Sequence, residues 1–407
     1  MIKEETMKKI EVYDQKHLLR YYDELDKKEK ELYEDQLNGL KFELLDLIGT
    51  KDEKEKSVYE PLQAMRLTEI SEKKREFEKT GIEAIRNCKV GAVLLAGGQG
   101  TRLGFDKPKG MFNIGKTKEM YIFERLIDNL LEVVNVTGCY VPLFIMTSQK
   151  NDADTRAFFK EKNYFGYDRK FIYFFVQDMA PSVDFNGKIL MEAKDKIALS
   201  PNGNGGWFSS MVSSGLLDKI NIMKIEWLNV FSVDNVLQRI ADPVFVGATI
   251  SSSCPCGAKV VKKASPDERV GVMCRENGKP SIVEYYELTD EMRDAKDAYG
   301  EPAYNYGVIL NYLFRVDKLI DINENKMVNH IVEKKVPYMN EEGQIISPDK
   351  PNGYKFETLI LDMISMLDDC LVFEVERNKE FAPVKNKEGV DSIDSARELL
   401  ELNGIKI

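Results

Sequence analysis

The chain has 407 residues, 43% apolar and 31% charged, which is enough to bury a large core and too long for one typical domain. A formal net charge of −10 disfavours non-specific binding to nucleic acid or an anionic membrane surface, but not a small anionic substrate that answers to local charge. The six cysteines, Cys88, Cys139, Cys254, Cys256, Cys274 and Cys370, are too sparse for a disulfide framework. Only Cys254 and Cys256 are close together, and the second pair that a zinc site wants is missing, so all six read as reduced thiols.

The N-terminus, MIKEETMKKI, has no apolar stretch of signal-peptide length, and no run approaches the roughly 20 apolar residues of a membrane span. A cytoplasmic location is therefore expected. Residues 12–90 are helical in pattern, with Leu18, Tyr21, Tyr22 and Leu25 on one stripe and Leu37, Leu40, Leu44 and Ile48 continuing an apolar face. From residue 89 the texture changes. VGAVLLAGG, YVPLFIMTS, KFIYFFVQD, WLNVFSVDN and PVFVGATIS read as strands, and EMYIFERLIDNLLEVVNV and NDADTRAFFKEKNYF between them as helices. Such alternation predicts an α/β fold with a mostly parallel sheet flanked by helices, whose ligand lies beyond the carboxyl ends of the strands. WFSSMVSSGLL reads as a helix after a glycine turn, residues 270–290 as a hairpin or sheet extension, and PDKPNGYKFETLILDMISML as a turn followed by a helix. The expected organisation is an N-terminal helical region, 1–88, packing on the core; a central catalytic domain, 89–325; and a short C-terminal segment, 326–407, that completes the site.

The stretch LLAGGQGTRLG at 94–104 places Gly97, Gly98 and Gly100 directly after an apolar run. It fails the dinucleotide fingerprint, because Leu103 stands where the third glycine belongs, and it lacks the Gly-Lys-Ser/Thr of a P-loop. Glycines would let backbone N–H groups approach a phosphate and permit a positive φ where an anion nest needs one. Arg102 offers a planar fork to phosphate oxygens, Lys109 adds a point charge, and Pro108 stiffens the approach. These parts suit phosphoryl or nucleotidyl transfer. Taken alone, the loop is equally compatible with a tight strand-to-helix turn carrying two solvated cations.

The loop has company. LAGGQGTRLGFDKPKGMF resembles the signature of the UDP-sugar pyrophosphorylases, and more closely that of the eukaryotic-type UDP-N-acetylglucosamine pyrophosphorylases. The resemblance extends in family order through FFVQDMAP, LSPNGNGGWF, NVFSVDNVLQRIADP, SIVEYYEL, AYNYGVILNYLF, KPNGYKFETLILDM and FEVERNKEFAPVKN, covering roughly residues 15 to 400. It implies a nucleotidyltransferase fold of the Rossmann-like, GT-A-like type. It also implies transfer of uridylyl from UTP to N-acetylglucosamine 1-phosphate, with a UDP-glucose or broad UDP-sugar pyrophosphorylase as the alternative. The implied cofactor is Mg²⁺, with Mn²⁺ as a substitute. The implied partners are the two small substrates, with no nucleic acid and no membrane, and the implied state is a monomer or weak homodimer.

The resemblance also implies residue roles. Leu95, Ala96, Gly97 and Gly98 would hold the uracil and ribose side, while Gly100, Thr101 and Arg102 face the departing pyrophosphate. Lys109 would neutralise the α-phosphate, and Gln177 would read the uracil edge, since an amide both donates and accepts. Gly203 and Asn204 would lie against the uracil and the sugar. Asp234, at the end of the strand NVFSV, would hold Mg²⁺, an ion that takes oxygen ligands and bridges phosphates. Asp242 reads as a turn residue rather than a ligand. Glu284, Asn305 and Gly307 match positions that bind the sugar, and Lys355 and Lys385 match lysines facing the phosphates. Neither His17 nor His330 falls in a motif, so catalysis is expected to rest on positioning and charge neutralisation. Two departures stand out. The family continues well beyond FAPVKN, where only residues 387–407 follow here, so its C-terminal domain is expected to be absent. Trp207 and Phe208 stand where smaller apolar residues are expected, which would reshape the sugar pocket.

Overall fold

The computed structural model describes residues 1–49, 57–325 and 327–407. Two compact units emerge, and neither is continuous in sequence. The larger holds residues 57–177, 207–325 and 361–407, and the smaller holds 1–49, 178–206 and 327–360. The three consecutive segments expected from the sequence are therefore interleaved.

The larger unit is built on one sheet of ten strands. These are β1 (Tyr59–Pro61), β2 (Val90–Leu95), β3 (Leu143–Thr147), β4 (Ile172–Val176), β5 (Trp227–Ser232), β6 (Cys256–Lys262), β7 (Val272–Glu276), β8 (Lys279–Val283), β9 (Tyr306–Arg315) and β10 (Leu371–Glu374). Along the main path the order is β1-β7-β9-β5-β2-β3-β4. β5, β2, β3 and β4 are mutually parallel, and β2 and β3 are buried at every position, as strands covered on both faces should be. β9 runs antiparallel to both β5 and β6. The expected parallel sheet is thus a mixed one, parallel on one side and largely antiparallel on the other. β7 and β8 form the expected hairpin, turning at Asn277 and Gly278 with φ of 51° and 82°.

The helices that flank this sheet include α1 (Leu67–Arg86), α2 (Ile122–Thr137) and α3 (Pro243–Ser252). The last corrects the sequence reading, which took PVFVGATIS for a strand. Asp242 caps it by accepting from the Val244 N–H at 3.1 Å, and Pro243 stands in the first turn, where its missing N–H costs nothing. The segment is apolar all round because it is buried all round, which leaves no helical period to read. It packs against α1 at backbone contact. A Cβ on Gly247 would lie 1.8 Å from the Phe77 carbonyl oxygen, and one on Gly81 would lie 1.9 Å from that of Pro243.

The N-terminal helical region is also divided. α1 belongs to the larger unit, whereas the helices Glu4–Val12 and Lys27–Asn38 belong to the smaller. The latter starts at a capping box, Asp26 with Glu29, and stops at Gly39, so the apolar stripe is carried by separate short elements. Leu18, Leu25, Tyr33, Leu37 and Phe42 bury that stripe against Val183, Ile189, Ile197 and Phe356. Phe356 lies on the strand Gly353–Glu357, which pairs with His330–Lys334 and Val183–Asp184 in a stretch where only a turn was expected. No helix among the described residues is long and apolar enough to cross a membrane.

Candidate functional site

The sheet topology brings most of the sequence-predicted residues to one edge of the larger unit. The parallel strands β2, β4 and β5 end there, at Leu95, Val176 and Ser232, and the antiparallel β9 begins there. Following β2, Ala96 is buried and Gly98 exposed. None of Gly97, Gly98 and Gly100 adopts a positive φ, so the expected nest conformation is not the reason for them; only Gly104 turns left-handed, at 71°. The reason is space. A Cβ on Gly97 would stand 3.0 Å from Gln177 Oε1, and one on Gly100 would stand 2.8 Å from the Phe105 ring and its carbonyl. At Gly98 a Cβ would meet nothing within 4 Å, so the missing side chain leaves open room. Thr101 and Arg102 are exposed on a short 3₁₀ turn, Thr101–Leu103. Gln177 is buried at the end of β4, with its N–H donating to the Thr147 carbonyl at 2.8 Å.

Lys109 returns to this loop, its N–H donating to the Gly98 carbonyl at 3.2 Å. Its side chain is buried, and its Nζ is paired with an Asp234 carboxylate oxygen. Asp234 stands just past β5, its N–H held by Ser232 Oγ at 3.2 Å. The Asp234 carbonyl accepts from the Val384 N–H at 2.9 Å, which brings the next residue, Lys385, to the same edge. Lys385 Nζ is 3.3 Å from Asp391.

The residues expected at the sugar form a second group on the same edge. Glu284 follows β8, Asn305 precedes β9, and Gly307 pairs with Val272 at the start of β7. Asn305 is buried, with Oδ1 accepting from the Lys263 N–H at 3.2 Å. A Cβ on Gly307 would meet the Val270 side chain at 2.8 Å. Burial, and then the neighbouring charge of Glu287, raises the Glu284 carboxyl above its ordinary value.

Gly203, Asn204 and Lys355 lie in the smaller unit. Gly203 needs its glycine twice over: φ is 84°, and a Cβ would stand 2.2 Å from the Thr358 carbonyl oxygen. Asn204 Oδ1 accepts from the Ile360 N–H at 3.0 Å, and Thr358 donates to the Asn202 carbonyl through both N–H and Oγ1. This glycine turn is therefore sewn to the end of the strand that carries Lys355. Burial lowers the Lys355 ammonium below its ordinary value, against the pull of Glu357.

The expected Mg²⁺ can be tested on the residues present. Among the described residues there is no group of three or more His, Cys, Asp or Glu side chains able to hold a metal. Asp234 alone fits an ion that takes one or two carboxylates and completes its shell with phosphate oxygens and water. Trp207 and Phe208 correct another expectation, for both are core residues of the larger unit. Trp207 is fully buried, with its ring nitrogen 3.2 Å from Met363 Sδ. Asp242, read as a turn residue, is the cap of α3. Asn151 was missed. It is fully buried, donating from Nδ2 to the carbonyls of Ala96 at 2.9 Å and Gly98 at 3.3 Å, and accepting from the Ser148 N–H at 2.7 Å. An Asn opening a helix after a strand was the available signal.

A glycine loop, lysines and a carboxylate at the carboxyl ends of a mixed, helix-flanked sheet define a nucleotidyltransferase-like α/β protein. Residues 44–402 match the family described as UTP–glucose-1-phosphate uridylyltransferase, and the chain belongs to that family. It is 38% identical over 335 residues to the human UDP-N-acetylhexosamine pyrophosphorylase-like protein 1, a match covering 80% of this chain and 66% of that relative, just under two thirds of its length. It is 36% identical over 391 residues to the Saccharomyces cerevisiae UDP-N-acetylglucosamine pyrophosphorylase, covering 92% of this chain and 81% of the relative. Among solved structures it resembles the Trypanosoma brucei uridine diphosphate N-acetylglucosamine pyrophosphorylase in complex with inhibitor. That match has a TM-score of 0.83 at 29% identity, over 97% of this chain and 83% of the other.

Proposed function

We propose that this protein transfers uridylyl from UTP to N-acetyl-α-D-glucosamine 1-phosphate, forming UDP-N-acetylglucosamine and pyrophosphate. The observation that carries the proposal is the convergence at one sheet edge of an open glycine loop, the Lys109–Asp234 pair and Lys385. In the reaction the sugar-phosphate oxygen attacks the α-phosphorus, and the bond to the bridging oxygen breaks. Negative charge then grows on the leaving pyrophosphate. The loop backbone and Gln177 hold the nucleotide, Lys109 turns from Asp234 towards the α-phosphate, and Arg102 and Lys385 meet the remaining charge. Mg²⁺, held through Asp234, would supply further neutralisation at the phosphates. Glu284 and Asn305 supply the acceptor and donor that sugar hydroxyls and an N-acetyl group require. No histidine is needed, because the attacking phosphate oxygen is already ionised and the pyrophosphate leaves as an anion, so neither the bond made nor the bond broken requires a proton transfer. We place the enzyme in the cytoplasm, as a monomer or weak homodimer.

The description of the family, with its glucose 1-phosphate, favours a second reading as a UDP-glucose or broad UDP-sugar pyrophosphorylase. A pyrophosphate-release assay with UTP across N-acetylglucosamine, N-acetylgalactosamine and glucose 1-phosphates separates the two. The highest kcat/KM is expected with N-acetylglucosamine 1-phosphate. A strong preference for glucose 1-phosphate would overturn the sugar assignment, and no release with any of the three would overturn the reaction.

A further inference from the structure

Beneath the site edge lies a cation that the proposed reaction does not use. Lys259, on β6, is fully buried. Its Nζ stands 2.6 Å from Glu380 Oε2, 3.0 Å from Asp242 Oδ2 and 3.3 Å from the Arg239 carbonyl oxygen, and 5.4 Å from the centre of the Phe245 ring. The two carboxylates belong to the two segments that reach the site. Asp242 closes the loop that follows β5 and carries Asp234. Glu380 opens the stretch that carries Lys385.

These segments are laced together directly above the cation. Asn235 Nδ2 donates to the Glu380 carbonyl at 2.7 Å, and Asn235 Oδ1 accepts from the Ala382 N–H at 2.9 Å. The Val236 N–H donates to the Ala382 carbonyl at 3.2 Å, and the Val384 N–H to that of Asp234 at 2.9 Å. The loop is held from its other sides by buried amides. Asn129 Nδ2 donates to the Gln238 carbonyl at 2.8 Å, Gln238 Nε2 to that of Ser232 at 2.6 Å, and the Ala241 N–H to Asn229 Oδ1 at 2.7 Å. A buried polar network of this kind fixes one arrangement, since any other leaves a charge or amide unpaired in a low-dielectric interior.

We propose that Lys259 is a positioning residue: by binding Asp242 and Glu380 at once, it holds the Asp234 loop and the Lys385 segment in the register that sets both groups at the phosphates. The consequence for catalysis rests on the proposed uridylyl transfer, but the tie itself does not. The glycine loop is held separately by Asn151, so loss of the tie should spare nucleotide binding.

The test compares Lys259→Met, Glu380→Leu and Glu380→Gln with the wild-type chain, by initial rates and by amide hydrogen exchange. In Lys259→Met and Glu380→Leu, kcat should fall at least ten-fold with KM for UTP within three-fold. Exchange at Val236, Ala382 and Val384 should quicken at least ten-fold while β2 and β3 stay protected. Glu380→Gln keeps an acceptor oxygen and should restore both readouts relative to Glu380→Leu. Unchanged exchange at the three amides, or exchange quickened equally through β2 and β3, would overturn the proposal, the second result marking a merely structural lysine. If Lys259→Met does not fold, the two Glu380 variants carry the comparison. A wild-type protein inactive with every sugar phosphate would sink the proposed function, and the exchange pattern would still decide the tie.

Discussion

Lys109→Met tests the centre of the proposed mechanism, because it removes the cation and keeps most of the side chain's length. Two costs can be worked out separately. In the resting protein, Lys109 is paired with Asp234, and the two side chains are 11% and 31% exposed. Asp234 can therefore turn to solvent when its partner goes, and the loss of stability should be about 1 kcal/mol, well short of the ~3–5 kcal/mol for a fully buried charge left alone. In the transition state, the loss is one charge-assisted hydrogen bond to phosphate, about 1.5–3 kcal/mol. At about 1.4 kcal/mol per ten-fold, kcat should fall roughly 10- to 150-fold. The Lys109 N–H still reaches the Gly98 carbonyl in this variant, so the loop backbone survives and KM for UTP should rise less than kcat falls. The assay is pyrophosphate release at saturating UTP and N-acetylglucosamine 1-phosphate, with a thermal melt as the control for folding. A kcat within three-fold of wild type, in a folded variant, would remove Lys109 from the chemistry.

Three other perturbations address the loop, the packing and the sugar end. Asn151→Ala removes the Nδ2 donor shared by the Ala96 and Gly98 carbonyls, of which Gly98 keeps the Lys109 N–H, so KM for UTP should rise about ten-fold, the effect of one lost buried hydrogen bond, with kcat little changed; an unaltered KM in initial-rate measurements would count against the clamp. Gly247→Ala pushes a methyl group into the Phe77 backbone and should lower stability by about 3 kcal/mol, read as a shift in urea midpoint; a change below about 1 kcal/mol would mean that α1 and α3 separate easily. The Glu284 carboxyl is raised by burial and by Glu287, so its neutral form is favoured in the fold. Its contribution to stability is therefore greatest below the ordinary value of 4.5 and is lost as pH rises through the raised one. KM for the sugar phosphate should fall across that same window as the acceptor carboxylate forms. Glu284→Gln should flatten this limb, and a limb that persists would assign it to another group.

How much of this could be read from residues alone depended on the range of the interaction. The strands ending at Leu95, Val176 and Ser232 were legible from short apolar runs with polar ends, and residues 270–290 as a hairpin or sheet extension. The helix Pro243–Ser252 was not, because a segment buried on all sides shows no period, and its Asp-Pro start was outweighed by its β-branched content. The interleaving of two units was not legible either. It depends on Val183, Ile189 and Phe356 meeting Leu18 and Tyr33, residues far apart in the chain. At the site, the family motifs drew attention to the groups proposed to meet substrate. They said nothing of Asn151 or Lys259, which face inward. Lys259 had left a trace, a single lysine in the run CGAKVV whose other residues are all buried apolar or glycine. A lysine is held in such a place only by partners distant in sequence, here Asp242 and Glu380.

The glycine loop also reads differently in three dimensions. Glycines there were expected to buy left-handed backbone, and Gly97, Gly98 and Gly100 use none. What they provide is absence of bulk: Gly97 admits the Gln177 amide and Gly100 admits Phe105, while Gly98 leaves a gap that none of the described residues fills. A loop shaped by what it lacks can hold a flat base and a phosphate chain without moving. The cation beside it behaves in the opposite way. Lys109 does not stand buried and unpaired, because Asp234 is its partner, a place that a phosphate would take in the proposed reaction. In the proposed reaction that exchange would free the Asp234 carboxylate as triphosphate charge arrives, leaving it available to a Mg²⁺ ion. Until then the pair keeps either charge from standing bare at the sheet edge.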